Sequence, residues 1–341
     1  MDTATHAIFG AVVAQAGFRR SLGRRAMVYG AVGAMLPDID SLAGLAGPYA
    51  AWLWHRGLTH SVFFGVGMGL LIGWMVWRRH RDRIDDAGSA LTAWTGLCVT
   101  VLLTHSLLDL FTHYGTQLLA PFSNHRFAIP AMPIIDPLYT LCLLVAASVG
   151  LSARIPIAVA RGVAAAALLA VGVYTLYGWS VNDRVADAAR RHLASEGRLV
   201  GQVDAYPTLL QPFYRRVVVE APDEVLIGFV SVLVERPIRW ERFAKGGGPL
   251  TVVVADTWEG EVFRWFADGK VFWRSRPIPT GRAVEGFDLR YGLPDDSVLG
   301  FWGIEAEFDA SGGMRSVPRV FSIERRVTIE RLEHFFRLVF G

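Results

Sequence analysis

The long apolar stretches of this chain are concentrated in its first half, and this uneven distribution most strongly limits what the chain can fold into. Four stretches are long enough, or nearly long enough, to cross a bilayer, since a spanning helix needs about 20 residues. Two shorter apolar runs predict half-length helices buried among the longer ones. The four longer stretches are 61–77, 91–110, 137–152 and 156–179, and the shorter runs are 5–18 and 26–37.

The remainder of the chain alternates apolar with charged residues, as a soluble domain does. An amphipathic helix is predicted for 181–196, and strand-like runs separated by turn-forming segments follow it. The predicted strands are RRVVVEA, EVLIGFVSVLVE, LTVVVADT, EVFRWFAD, KVFWRSRPI, FDLRYGL and the stretch from Gly300 to Asp309. The glycine run at 245–249 predicts a hairpin loop, because neither Lys-Ser/Thr nor a helix pattern follows it.

The predicted fold class is therefore an α-helical polytopic membrane domain followed by a soluble, mainly-β (α+β) domain. The membrane domain, residues 1–180, has about four full spans plus two short helices and carries an Asp/His metal site. The second domain covers residues 181–341 and is predicted to be extracytoplasmic.

Arginine positions supply that orientation. With six segments alternating in direction, ten arginines fall on one side, which the positive-inside rule makes cytoplasmic. They are Arg19, Arg20, Arg24, Arg25, Arg78, Arg79, Arg81, Arg83, Arg154 and Arg161, whereas Arg56 and Arg126 fall on the other side. The formal net charge is only +3, so we expect no nucleic-acid partner.

Histidines and aspartates gather at the outer ends of these segments, where burying ionisable groups unpaired would be costly. His105 and Asp109 are four residues apart and share a helix face, whereas the loop-like Asp38-Ile39-Asp40 can direct two carboxylates at an ion. A helix-cap or turn role for these aspartates is the competing interpretation. The predicted metal ligands are His6, Asp38, Asp40, His55, His60, His105 and Asp109.

A mixed His/Asp set suits one or two divalent ions, with zinc the first expectation and manganese or iron the alternatives. Such ions lower the pKa of bound water and hold ester oxygens. The predicted catalytic residues are Asp38, Asp109 and Arg56. Of these, Arg56 would hold an anionic group of the substrate. Whether His113, His125 and Asp136 join the site stays open. His80, among the cytoplasmic arginines, is expected to be a solvated flank, and His192 and His334 are expected at the surface.

Several motifs in a fixed order resemble a known family. They are Thr5-His6-Ala7, Leu36-Pro37-Asp38-Ile39-Asp40, the stretch from His55 to Ser61, the stretch from His105 to Asp109, and the stretch from Tyr114 to Phe122. Together they resemble the YdjM/YbcI-type inner-membrane proteins, to which metal-dependent hydrolase activity is ascribed. The resemblance implies a multi-pass inner-membrane protein with that activity, and it implies no particular substrate.

Three functions are compatible with these features. The leading hypothesis is a membrane-embedded metal-dependent hydrolase, in which metal-activated water attacks an ester of a lipid or lipid-linked substrate at the outer leaflet, a phosphoester being one candidate. The second is a non-catalytic metal-binding membrane scaffold or sensor with a partner-binding exterior β domain. The third, a transporter, is disfavoured because transporter sites tend to lie near the bilayer midplane.

Overall fold

The structure, a computed structural model, describes residues 1–81, 87–198, 201–246, 248–294, 297–323 and 328–341. It divides into two compact units. The first comprises residues 1–43, 54–177 and 209–211, and the second comprises 44–53, 178–208 and 212–341. The boundary predicted from the sequence lies near the division at residue 177, whereas the place of 44–53 in the second unit has no counterpart in the prediction.

The first half of the chain is helical, as its apolar patterning predicts. Among the described residues, three helices are long and apolar enough to cross a membrane, whereas Pro137–Leu151 is shorter, so the count of four spans stays a prediction. The two half-length helices are confirmed. The α-helices are α1 (Thr3–Gly17), α2 (Arg19–Leu22), α3 (Arg25–Met35), α4 (Pro48–Trp54), α5 (Val62–His80), α6 (Ala87–Leu110), α7 (Pro137–Leu151) and α8 (Ile157–Ser195), with 3₁₀ helices at Leu36–Ala46 and Leu58–His60.

Glycines bring neighbouring helices of the first unit into close contact. Gly65, Gly69 and Gly73 recur every fourth residue along α5 and pack against α6, where a Cβ added to Gly69 would lie 2.6 Å from the Cα of Val99. Small residues at this spacing let helix backbones approach each other closely within a membrane. The contact between α5 and α6 sets the position of α6, which carries His105 and Asp109.

The second unit contains two four-stranded antiparallel sheets within the described residues, with strand orders β1-β2-β3-β4 and β5-β6-β7-β8. Phe272 and Phe287 of one sheet share an apolar core with Val218 and Ile227 of the other. The two sheets therefore bury a common interior. The strands are β1 (Val203–Pro207), β2 (Tyr214–Glu220), β3 (Glu224–Ser231), β4 (Glu241–Ala244), β5 (Val271–Ile278), β6 (Gly281–Asp288), β7 (Trp302–Phe308) and β8 (Arg319–Ser322).

Two predicted strands are wrong. LTVVVADT and EVFRWFAD form helices α9 (Pro249–Ala255) and α10 (Trp258–Phe266). Proline occupies the start of α9, and the Thr257 hydroxyl caps α10 by accepting from the amide of Gly260 at 3.0 Å. Short apolar runs are ambiguous between strand and helix, and the cap decides here. The expected hairpin at the glycine run is also wrong because α9 follows it; Gly247 itself lies outside the described residues.

Three further segments complete the comparison with the sequence. The predicted amphipathic helix at 181–196 is the continuation of α8, not a separate element. FDLRYGL is mostly irregular, since β6 ends at Asp288. A final amphipathic helix, α11 (Ile329–Phe340), was not predicted.

A short segment from the first half of the chain belongs to the second unit. The Tyr49 hydroxyl donates to the carbonyl of Pro318 at 2.8 Å, and the Trp52 ring stacks on Phe266 with centroids 4.9 Å apart. These contacts hold residues 44–53, which lie in the sequence between the predicted ligands Asp40 and His55, within the fold of the C-terminal half.

Candidate metal centre

Three stretches of the first unit bring four predicted ligands together. The 3₁₀ helix after α3 supplies Asp38, the turn before α5 supplies His60, and α6 supplies His105 and Asp109 from adjacent turns of one face. One nitrogen or oxygen from each of these residues lies within 4.8 Å of all the others. The histidines and Asp109 are buried, whereas Asp38 is partly exposed. Residues distant in sequence thus form one compact cluster.

The hydrogen bonds of the two histidines fix which ring nitrogen faces the cluster. The Nδ1 atom of His105 lies 2.6 Å from the carbonyl oxygen of Ala34, which can only accept, so Nδ1 carries the hydrogen. The Nδ1 atom of His60 lies 3.0 Å from Oδ2 of Asp40, which acts as the acceptor in the same way. Each neutral imidazole then presents the lone pair of Nε2 to the cluster, as a metal ligand must.

The spacing of these atoms fits a single coordination shell. The two Nε2 atoms are 2.9 Å apart, and Oδ2 of Asp109 lies 3.2 Å from His60 and 3.5 Å from His105. Oδ1 of Asp38 lies 3.7 Å and 3.5 Å from the same two nitrogens. With metal–ligand bonds of about 2.0–2.1 Å, the edges of a coordination tetrahedron measure about 3.3–3.4 Å. The residues present therefore fit a divalent ion.

Asp40 organises the loop that carries His60. One of its carboxylate oxygens accepts from His55 at 2.8 Å, and the other accepts from the amide of Arg56 at 3.0 Å and the hydroxyl of Thr59 at 2.5 Å. Burial raises the pKa of Asp40, but the hydrogen bonds from His55 and His60 outweigh it and hold that pKa well below its usual range. In this geometry Asp40 orients His60, as carboxylates behind metal-bound histidines do, and His55 contacts the cluster through Asp40.

His6 and Arg56 lie on the opposite side of Asp109. Oδ1 of Asp109 is 3.1 Å from Nε2 of His6 and 3.1 Å from a terminal nitrogen of Arg56, and the amino group of Met1 also hydrogen-bonds it. The His6 ring stacks on His105 with centroids 3.7 Å apart. Ligation by His6, Asp40 and His55 stays a prediction, since these residues lie outside the group of four.

The other sequence candidates have different surroundings. His113 is buried, His125 is exposed against Phe127, and Asp136 caps α7 by accepting from the amide of Tyr139 at 3.0 Å. His80 is not a solvated flank, because its ring stacks on Trp94 and hydrogen-bonds the Tyr29 hydroxyl at 2.9 Å. His192 and His334 are exposed, as expected.

Sequence reasoning missed the groups that support the ligands. The Thr3 hydroxyl donates to Oδ2 of Asp38 at 2.6 Å, and the Ala34 carbonyl anchors His105. The guanidinium of Arg56 donates to the Thr112 hydroxyl at 2.6 Å, and its central carbon lies 4.7 Å from the centroid of the Tyr114 ring. Thr3 and Thr112 are close in sequence to candidate ligands, so a supporting role for them could have been predicted. The Ala34 carbonyl could not, because every residue has a backbone carbonyl.

Comparison with known proteins identifies the family of this chain. A family model described as YdjM inner membrane protein matches residues 1–182, which include every residue of the cluster. The chain belongs to the YdjM inner membrane protein family. Membership confirms the resemblance drawn from the ordered motifs, and together with the span-length helices it identifies a membrane protein.

One relative has a curated name. The chain is 26% identical over 156 residues to the uncharacterized protein YfhP of Bacillus subtilis (strain 168). The match covers 44% of this chain and 46% of YfhP, so the chain spans about half the length of that relative. No solved structure matches the chain.

Proposed function

We propose that this YdjM-family protein is a membrane-embedded metal-dependent hydrolase that cleaves an ester of a lipid or lipid-linked substrate at the outer leaflet. The observation that carries the proposal is the convergence of Asp38, His60, His105 and Asp109 beside the buried Arg56. A divalent ion held there, with zinc the first expectation, would activate a water molecule and polarise the ester oxygen.

The remaining chemistry falls to the residues of the chain. His60 and His105 present their Nε2 lone pairs because Asp40 and Ala34 fix their tautomers. Arg56 stabilises negative charge that develops on the substrate, since its guanidinium is permanently positive. The reaction adds one water across the ester. The water oxygen bonds to the acyl or phosphoryl centre, the ester bond breaks, one proton of the water goes to the leaving alkoxide, and the other stays on the acid formed or passes to solvent. Nothing is oxidised or reduced.

The surroundings of the cluster support a lipid substrate. Ile39, next to Asp38, and Leu58, two residues before His60, are 55% and 49% exposed. Large apolar side chains this exposed are unfavourable in water but suit contact with acyl chains. These side chains adjoin two of the ligands in sequence and are exposed enough to contact the acyl chains of a lipid substrate.

Purified protein tests the proposal directly. The chain in lipid nanodiscs is analysed for bound metal and then incubated with phospholipids and lipid-linked phosphates. We expect a bound divalent ion and release of a hydrolysis product. Both are lost in Asp38→Ala and His105→Ala and are retained in His192→Ala, the matched exposed control. Metal-free wild-type protein, or turnover that survives Asp38→Ala and His105→Ala, would contradict the proposal.

A metal-binding scaffold or sensor is the second candidate, and the number of protein ligands favours it. Catalytic zinc sites usually have three protein ligands and an open position, whereas four ligands can saturate a tetrahedral ion. The partial exposure of Asp38 instead favours an accessible site. Substitution with Co²⁺ separates the two functions, because a saturated four-coordinate ion gives strong visible absorption that added phosphate leaves unchanged, whereas an open site changes its spectrum.

A further inference from the structure

We propose that the cluster binds one metal ion, that the guanidinium of Arg56 takes the place of a second ion, and that the substrate is accordingly a phosphoester. The inference rests on the proposed hydrolase function and deepens it. In two-metal hydrolases, a pair of ions stabilises the attacking and leaving oxygens. In this chain one of those positive charges belongs to the protein itself.

The two oxygens of Asp109 have different surroundings. Oδ2 faces the Nε2 atoms of His60 and His105 and, within the described part of the chain, makes no hydrogen bond of good geometry. Oδ1 faces Nε2 of His6 and Arg56, each at 3.1 Å, and also accepts from the amino group of Met1. Asp109 is fully buried, so both oxygens depend on these neighbours. One oxygen is thus available to a metal ion, and the other is already paired with a cation.

The Oδ1 side lacks the ligands for a second ion. Over the described ranges of the chain, the group of four is the one set of three or more His, Cys, Asp or Glu residues whose ligand atoms converge. Among the described residues of these four types, His6 contacts Oδ1 of Asp109 in addition to that group. Two side-chain ligands are too few for a stable ion site, so the side-chain positive charge on that side is the one that Arg56 supplies, next to the amino group of Met1.

Several contacts hold the guanidinium of Arg56 in position. Its guanidinium donates to the Thr112 hydroxyl at 2.6 Å and to the Asp109 carbonyl at 3.3 Å, and it lies over the Tyr114 ring. Its backbone has φ of 60°, a left-handed conformation unusual for a non-glycine residue, and the Gln117 amide donates to its carbonyl at 2.9 Å. These contacts hold the positively charged guanidinium beside Asp109.

One donor of this guanidinium remains for a ligand. Arg56 is 97% buried, being 3% exposed, and its Nε makes no hydrogen bond to any described residue. A buried donor without an acceptor is destabilising, so such a group points to a missing acceptor. An arginine beside a cation site suits a phosphate oxygen, which is negatively charged before the reaction begins, better than the neutral oxygen of a carboxylic ester.

The number of metal ions that the wild-type chain binds tests the claim that the cluster holds one ion. The full chain in nanodiscs is stripped with chelator and titrated with Co²⁺, while visible absorption and electron paramagnetic resonance are recorded. We expect saturation at one equivalent, with the signal of an isolated high-spin ion. Two equivalents with a spin-coupled pair would overturn the inference but leave the hydrolase proposal standing. No binding would overturn both.

Inorganic phosphate then tests the role of Arg56 through its effect on the bound Co²⁺ spectrum. We expect phosphate to bind about 10- to 100-fold more weakly to Arg56→Met, as loss of a charged hydrogen bond predicts. Arg56→Lys, which keeps the charge, should lie between, and the exposed control Arg154→Met should match wild type. The comparison uses each Arg56 variant that still binds one ion. If such a variant binds phosphate as tightly as wild type does, the substrate assignment is overturned and the hydrolase proposal stays intact.

Discussion

The Nε2 atoms of His60 and His105 lie 2.9 Å apart, although 45 residues separate the two histidines in the chain. Both rings use Nδ1 as a donor to a fixed oxygen, so two lone pairs face each other across this short gap. Such an arrangement is repulsive unless a proton or a metal ion lies between the nitrogens. This relationship links the local fold to metal binding and underlies the first two predictions.

Replacing Asp40 should weaken metal binding without removing a residue of the four-ligand group. In Asp40→Asn, His60 loses the carboxylate that fixes its tautomer, and loss of such a group typically lowers metal affinity 10- to 100-fold. Competition with a coloured chelator measures the change. Asp187→Asn, at an exposed position in α8, is the control. Equal affinity in Asp40→Asn and wild type would show that Asp40 does not orient His60.

Metal binding should release a proton and weaken as the pH falls. Burial lowers the pKa of His60, but the carboxylates of Asp109, Asp38 and Asp40 outweigh it and raise that pKa to about 10 when no ion is bound. Below that pH a proton occupies the ring and the metal must displace it, so the apparent affinity should fall about tenfold per pH unit. Calorimetry in two buffers of different ionisation enthalpy between pH 6 and 8 counts the protons; a pH-independent dissociation constant would contradict this assignment.

Adding a methyl group at Gly69 should destabilise the first unit. A Cβ there would lie 2.6 Å from the Cα of Val99 in α6, closer than such atoms approach, and overpacking of this kind costs about 1–3 kcal/mol. Thermal unfolding in detergent compares Gly69→Ala with Gly67→Ala, at which a Cβ meets no atom within 4 Å. The prediction fails if the two variants unfold at the same temperature.

Truncating Trp52 should destabilise the second unit. Its ring is 8% exposed and stacks on Phe266, and removing a large buried aromatic costs about 3–5 kcal/mol. Trp54, only two residues away, is 62% exposed, so Trp54→Ala should have little effect. Limited proteolysis of residues 178–341 reports the difference, and equal cleavage rates would contradict it.

The predicted outer location of the cluster can be tested by cysteine labelling. In a background with Cys98 and Cys142 replaced by alanine, we expect His125→Cys in intact cells to react with a membrane-impermeant maleimide. Arg154→Cys should react only after the cells are opened, because the positive-inside rule assigns it to the cytoplasm. Both positions are exposed, so accessibility of the side chain is matched. The reverse pattern would invert the orientation.

Much of the membrane half could be predicted from the sequence because its signals are local. A long apolar run must form a helix in a bilayer, where each backbone polar group needs a hydrogen bond within the segment. The His105–Asp109 spacing likewise places both side chains on one helix face, as the structure confirms. Local pattern failed in the second unit, where the runs around Val253 and Phe263 form helices, because capping and tertiary packing decide such ambiguous segments.

The sequence by itself determined which residues are candidate ligands, their order, and the family motifs that carry them. Only the tertiary structure decided which role each candidate has. One ligand atom from each of four residues converges on a common point. Asp40 contacts Nδ1 of His60, and Arg56 pairs with Oδ1 of Asp109. The physical reason is that coordination depends on distances of a few ångströms between residues far apart in the chain. Those distances are set by the packing of α1, α3, α5 and α6, which no local pattern encodes.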